Sequence, residues 1–224
     1  MFSRKNSSAI KPLISQTNPE SRYAEQYRII RTNLQYLYNH EMIQTIFVTS
    51  ASRGEGKTTT VANLGIVFAQ QGKRVLLIDA DFRRPELHNF FSKNNFSGLI
   101  DILLNNYSLE KLVLSTAIEN LDLITSGPKP PIESDLLGSK EMISFLEKIK
   151  EKYDIVLIDS PPIVEIADSQ VLANICDGSI IVIKSGKTKK NKVEIAKNNL
   201  MNGKAKFLGA VLNDKKTKKS LLLS

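Results

Sequence analysis

Ala51-Ser-Arg-Gly-Glu-Gly-Lys57-Thr58 decides the reading of this chain, because an apolar strand precedes it and a helix-forming run follows it. Thr45-Ile-Phe-Val-Thr49 is β-branched and apolar, and Thr58 to Gln71 carries Val61, Leu64, Val67 and Phe68 at helical spacing. A strand therefore delivers the loop to a helix N-terminus, the context in which this pattern reads as a phosphate-binding P-loop. Gly54 and Gly56 let the backbone turn its N–H groups toward a phosphate, and the helix dipole adds partial positive charge at the same point. Lys57 is expected to reach the β- and γ-phosphates, and Thr58 to place its hydroxyl on Mg²⁺. The candidate nucleotide-binding residues are Ser52, Arg53, Gly54, Glu55, Gly56, Lys57, Thr58 and Thr59, with Asn213 at the end of the last predicted strand. The loop starts on Ala51 where the commoner form has Gly. A Gly-rich surface turn is the plain alternative, and the flanking strand and helix disfavour it.

Two aspartate-tipped runs strengthen this reading. Val75-Leu-Leu-Ile-Asp79-Ala-Asp81 ends in two carboxylates, and Asp154-Ile-Val-Leu-Ile-Asp159-Ser-Pro-Pro162 is another apolar run with one. Buried parallel strands have this composition. A carboxylate at the C-terminal end of a strand sits at the crevice where open α/β sheets bind ligands. Any one of the three alone is as well explained by a turn or a helix cap. Mg²⁺ takes hard oxygen ligands and keeps waters, so one or two of these carboxylates beside the P-loop hydroxyl suffice, and the remaining one is free for proton work.

With 224 residues and 42% hydrophobic content, the chain can bury the core of one catalytic-sized domain. Its apolar runs fall far short of the roughly 20 residues that span a bilayer, and no charged-then-apolar leader is visible, so a cytoplasmic location is expected. Cys176 lies in an apolar helical pattern with Val171, Leu172, Ala173 and Ile175, the setting of a buried structural thiol. His40 and His88 lack metal-ligand spacing, so no zinc site is expected.

Residues 1–21 read as a polar N-terminal arm, loose or docked. From residue 22 to 39, Tyr23, Tyr27, Ile30, Leu34, Leu37 and Tyr38 recur at three- and four-residue spacing and predict an amphipathic helix. Further expectations are a strand at Leu121-Asp-Leu-Ile124, a break at Gly127-Pro-Lys-Pro-Pro131, and a helix from Ser139 to Lys150. Strands at 179–183 and 207–212, with a helix between them from about Lys189 to Met201, complete the pattern. This alternation implies a doubly wound α/β fold, a mostly parallel sheet with helices on both faces.

Four motifs together resemble one family, the bacterial tyrosine kinases of capsule and exopolysaccharide synthesis. The P-loop Ala51 to Thr58 is joined by Leu76-Leu-Ile-Asp79-Ala-Asp81-Phe-Arg83, which resembles the family's extra Walker A′ motif. Asp159-Ser-Pro-Pro162 resembles its Walker B motif, and Glu25-x-x-Arg28-x-x-Arg31 is similar to its N-terminal oligomerisation motif. The resemblance runs from about Glu20 to Lys216, which gives a kinase domain over 22–214. It implies ATP-dependent phosphorylation of protein tyrosine, with Lys57 on the phosphates and Thr58, Asp81 and Asp159 holding Mg²⁺. Asp79 is the candidate base for the tyrosine hydroxyl, although the division of roles among Asp79, Asp81 and Asp159 stays open. It also implies a ring of subunits joined through Glu25, Arg28 and Arg31, and a separate membrane-protein activator that brings the kinase to the inner face of the membrane. Without the resemblance, those three residues read as a solvated helix face with an internal Glu25–Arg28 pair.

The chain departs from the family in two places. Arg53 stands where the kinases often have proline. No tyrosine follows Tyr153, and residues 215–224 form a short basic and then apolar tail where the family carries a tyrosine cluster. A shortened tail, an engineered end, or a kinase acting only on other proteins would each give this pattern, so autophosphorylation on a tail cluster is not expected.

The net charge of +8 concentrates as lysine between Lys184 and Lys219. No nucleic-acid reader motif or stacking platform accompanies it, so nucleic-acid binding is not expected; a solvated lysine face or one near an anionic leaflet fits better. The rival classes are a non-kinase ATPase switch of the partition and septum-positioning type, which typically carries an extra lysine early in the loop, and a nucleotide-binding assembly scaffold. Ser52 and Arg53 occupy the early loop positions here and disfavour the switch.

Overall fold

Alternate residues of the central strands enter two different cores. Ile46, Val48, Val75, Leu77, Ile155 and Leu157 lie in one, and Phe47, Leu76, Ile78, Val156 and Ile158 lie in the other. A strand with helices packed on both faces must be apolar at every position, and period-two side-chain geometry deals those residues out to opposite sides. The computed structural model describes residues 13–38, 43–105, 107–129 and 134–215. Most of the predicted arm (1–12), His40, the end of the predicted break at Pro131 and the tail from 216 lie outside the described residues.

The elements in order are α1 (Ile14–Thr17), α2 (Arg22–Tyr38), β1 (Thr45–Ser50), α3 (Lys57–Ala69), β2 (Val75–Asp79), α4 (Leu87–Phe90), α5 (Leu99–Asn105), α6 (Leu109–Leu112) and β3 (Leu114–Ser115), followed by β4 (Leu121–Ile124), α7 (Ser134–Leu137), α8 (Lys140–Lys150), β5 (Ile155–Asp159), α9 (Asp168–Ile175), β6 (Gly178–Lys184), α10 (Lys190–Met201) and β7 (Lys206–Asn213). Among the described residues the strands form one sheet in the order β3-β4-β2-β5-β1-β6-β7. Every pairing is parallel except β3 with β4. The mostly parallel, doubly wound sheet is therefore the fold of this chain.

No sequence signal marks the two-residue strand β3. It is too short to carry a period, and it depends on a turn in which Asn120 adopts a left-handed backbone with φ of 62°. Elsewhere local chemistry explains the boundaries. Ser139 caps α8 by accepting the Met142 N–H at 3.1 Å, and Met142, Phe145, Leu146 and Ile149 supply its buried stripe. Cys176 ends α9 as a free, buried thiol, and burial pushes its pKa up, consistent with a structural role. Residues 13–17 dock on α3, where the Ser15 N–H donates to Asn63 Oδ1 at 2.9 Å. Among the described residues no helix is long and apolar enough to cross a membrane.

Candidate active site

Five parallel strands end at one edge of the sheet on a polar residue: Ser50 of β1, Asp79 of β2, Asp159 of β5, Lys184 of β6 and Asn213 of β7. That edge is the crevice in which open α/β sheets hold ligands. It forms a cleft of about 560 Å³ lined by Gly54, Lys57, Thr58, Asp81, Arg84 and Asn213 among others. A larger hollow of about 660 Å³, walled by Tyr107, Glu110, Phe145 and Lys148, lies away from these strand ends and receives no glycine loop.

The loop between β1 and α3 is held from three directions. Gly54 and Gly56 take φ of 74° and 96°, a region that other residues enter at a cost. A Cβ on Gly56 would lie 2.0 Å from Asn213 Nδ2, so glycine is required there by space as well as by dihedral. Asn213 uses that approach to donate to the Glu55 carbonyl at 2.9 Å. Glu55 points inward and is only 4% exposed. Its carboxylate accepts the Ala51 N–H at 3.0 Å and the Thr188 hydroxyl at 2.6 Å, which closes the loop on itself and ties it to the segment after β6. Glu55 and Asn213 thus shape the cradle by hydrogen-bonding the loop itself.

At the helix start, Lys57 meets the aspartates. Its Nζ donates to Asp159 Oδ1 at 2.8 Å and stands 3.8 Å from Asp81 Oδ2. Burial alone would lower the pKa of this ammonium, but the charges of Asp159 and Asp81 outweigh that and raise it, so Lys57 is charged. Parallel pairing sets Asp79 beside Asp159 in register. Asp79 has no exposed surface, and its carboxylate accepts the N–H groups of Asp81 at 3.2 Å and of Glu86 and Leu87 at 3.0 Å each. Burial, reinforced by Asp159, holds its carboxyl well above the usual carboxylate range. Asp81 is raised as well, by burial against the opposing pull of Lys57. Two carboxylates, Asp159 and Asp81, on one ammonium leave an excess of negative charge and hard oxygen donors, the environment a divalent cation fits. Among the described residues no three His, Cys, Asp or Glu side chains form a ready metal cage. Mg²⁺ needs none, because it binds through one or two carboxylates plus substrate phosphates.

Comparison with known proteins agrees with this site. Residues 43–207 match the family model described as an AAA domain. The tyrosine-protein kinase YwqD of Bacillus subtilis (strain 168) is 47% identical over 92% of this chain and 87% of its own length. The putative tyrosine-protein kinase CapB of Staphylococcus aureus is 35% identical over 93% of this chain and 92% of its own. The chain belongs to the bacterial tyrosine-protein kinases. The solved kinase domain of the Escherichia coli tyrosine kinase ETK superposes with a TM-score of 0.89 at 30% identity, covering 100% of this kinase and 86% of that chain. The kinase reading is thereby favoured over the ATPase-switch and scaffold readings, and the AAA-domain match agrees with a nucleotide in the cleft.

The kinase brings Lys57, Thr58, Asp81, Asp159 and the glycines of the loop together in or beside one cleft, with Asp79 beneath it. Sequence reasoning missed Ser50, Arg84, Glu86, Ile166 and Lys184, which also line it beside Pro162 of the Walker B match. Lys184 could have been found from its place at the end of a predicted strand, and Arg84 and Glu86 from their place just beyond Asp81. Ile166 becomes legible only once β5 is placed next to β1.

The helical motif of α2 is internally engaged. Arg28 pairs with Glu25 at 2.9 Å and also donates to the Pro19 carbonyl at 2.6 Å. Arg31 reaches inward to the Val67 carbonyl near the end of α3 at 2.9 Å. Of the three, Arg31 therefore anchors α2 to the P-loop helix, and Glu25 and Arg28 remain on the surface.

Proposed function

We propose that this kinase transfers the γ-phosphate of Mg-ATP to protein tyrosine in the control of capsule or exopolysaccharide synthesis. The observation that carries the chemistry is Lys57, charged and held between Asp159 and Asp81 at the N-terminus of α3. With nucleotide bound, Lys57 would turn from Asp159 to the β- and γ-phosphates, and Asp159 and Asp81 would be free to hold Mg²⁺ with Thr58. The metal supplies neutralisation of phosphate charge. The residues supply position: loop N–H groups on the phosphates, and a carboxylate to receive the phenol proton as the tyrosine oxygen takes the phosphoryl group and the bond to ADP breaks.

Asp79 has the raised proton affinity that suits a general base. Its burial means that the turn at 80–86 must move before a phenol reaches it. Asp81 lines the cleft and is the accessible alternative candidate. Asp79→Asn and Asp81→Asn decide between them: the base is the residue whose loss abolishes phosphotransfer while Mg-nucleotide affinity is retained.

We further infer a domain at 22–214, ring assembly in which Glu25 and Arg28 exchange their internal pair for pairs between subunits, and activation by a membrane protein at the inner face of the membrane. The deciding experiment is intact-mass and phosphopeptide analysis after incubation with Mg-ATP and the cytosolic segment of a candidate activator. Phosphotyrosine that disappears in Lys57→Met is expected. ATP hydrolysis without phosphotyrosine, on this chain or on an added tyrosine-rich peptide, would overturn the proposal.

A further inference from the structure

One carboxylate beside the cleft holds two cations that no part of the phosphoryl-transfer scheme uses. Glu165 follows β5, and its Oε2 stands 3.5 Å from Arg53 Nε while its Oε1 stands 3.6 Å from Lys192 Nζ. Lys192, on α10, also donates to the Ser52 hydroxyl at 2.8 Å. Arg53 and Ser52 are consecutive residues of the P-loop, so Glu165 sits at a junction of the loop, the β5 connection and α10.

The strand order gives this junction a direction. β5 and β7 lie on opposite sides of β1, and Asn213 from the β7 side packs on Gly56. Arg53 turns toward Glu165 in the connection that follows β5, the strand whose Asp159 holds Lys57 Nζ. Lys57 marks the β- and γ-phosphate end of the nucleotide, and Arg53 lines the same cleft, within the loop that leads to Lys57. The Arg53 side chain is 46% exposed, so the pair with Glu165 is a weak one. A terminal phosphate carries more charge than a carboxylate and takes guanidinium with two parallel hydrogen bonds.

We propose that Arg53 is a specificity-determining residue that favours nucleoside triphosphate over diphosphate, and that Glu165 is a positioning residue that holds its guanidinium aside until the terminal phosphate competes for it. This rests on the reading of the cleft as an ATP site. Arrival of the γ-phosphate moves Arg53 from Glu165 to the phosphate, whereas a diphosphate leaves the pair in place. Lys192 then remains as the counter-charge of Glu165.

The test is isothermal titration of the full chain with the magnesium complexes of ADP and of the non-hydrolysable triphosphate adenylyl imidodiphosphate, read as the ratio of the two dissociation constants. Arg53→Ala is expected to reduce the preference for triphosphate about fivefold or more, and Arg53→Lys to restore part of it by keeping the charge without the fork. Glu165→Gln is expected to raise the preference about threefold, and to lose that gain in the Arg53→Ala background. Urea unfolding verifies that each variant is folded. An unchanged ratio in Arg53→Ala overturns the proposal, as does a Glu165→Gln gain that persists without Arg53, since it would belong to Lys192. If the unaltered chain binds neither nucleotide, the ATP-site reading itself falls, and this inference with it.

Discussion

Glu55 offers the sharpest test of how this loop is built, because its two replacements should behave very differently. Its carboxylate accepts the Ala51 N–H at 3.0 Å and the Thr188 hydroxyl at 2.6 Å, and Ala51 is fully buried. Hydrogen bonds to a charged group contribute about 1.5–3 kcal/mol each, and an abandoned buried N–H costs a further share. Glu55→Ala removes both bonds and strands the Ala51 N–H, so a loss of about 3 kcal/mol is expected, divided between global stability and the order of the loop. Any 1.4 kcal/mol of it that falls on loop order weakens nucleotide binding about tenfold. Glu55→Gln keeps an oxygen for Ala51 and turns an amide N–H toward the Thr188 oxygen. That hydroxyl already accepts the Lys184 N–H at 3.0 Å, and it has a further acceptor site and an alternative carbonyl, that of Lys184 at 3.2 Å, for its own proton. The amide variant should therefore cost less than about 1 kcal/mol. Urea unfolding and titration with Mg-adenylyl imidodiphosphate measure the two shares. Equal damage from both substitutions would refute the reasoning, as would an alanine variant indistinguishable from the parent.

Asp177 ties the start of β1 to α8: it accepts the N–H groups of Gln44 and Thr45 at 3.1 and 2.8 Å, the Thr45 hydroxyl at 2.8 Å and the Lys150 ammonium at 3.0 Å. Burial alone would raise its pKa, but these donors outweigh it and leave the folded-state value below that of the unfolded chain. Its stabilisation is therefore complete above about pH 4 and is lost as pH falls through the lower folded value; urea melts should show this acid step in the parent and lack it in Asp177→Asn, which also loses about 2 kcal/mol at pH 7. Gly56→Ala must both displace Asn213 and strain the left-handed cap, so nucleotide affinity should fall at least tenfold by titration; retained affinity would contradict the close approach. Arg28→Glu places two carboxylates side by side on α2 and should lower the oligomer mass in light scattering, whereas Arg31→Ala should leave α2 less firmly held on α3 and show as faster amide exchange there.

The sequence by itself determined the features that local pattern can carry. Apolar runs ending in Asp79 and Asp159 announced buried parallel strands, and the Gly54 and Gly56 turn between a strand and a helix announced the phosphate cradle. Three- and four-residue spacing announced α2, and the helix-like runs between expected strands announced α8 and α10. Each of these depends on residues close together along the chain, where dihedral preference and side-chain period act directly. What only the tertiary structure decided is which distant residues meet. Lys57 finds Asp159 across 102 residues, Glu55 finds Thr188 across 133, and Asn213 finds the Glu55 carbonyl across 158. Those meetings follow from placing β5 on one side of β1 and β6 with β7 on the other, an order set by packing and crossover handedness that no local window contains. The same order brought Glu165 and Lys192 to the loop that carries Arg53, and tertiary packing gave Arg31 a hydrogen bond to α3.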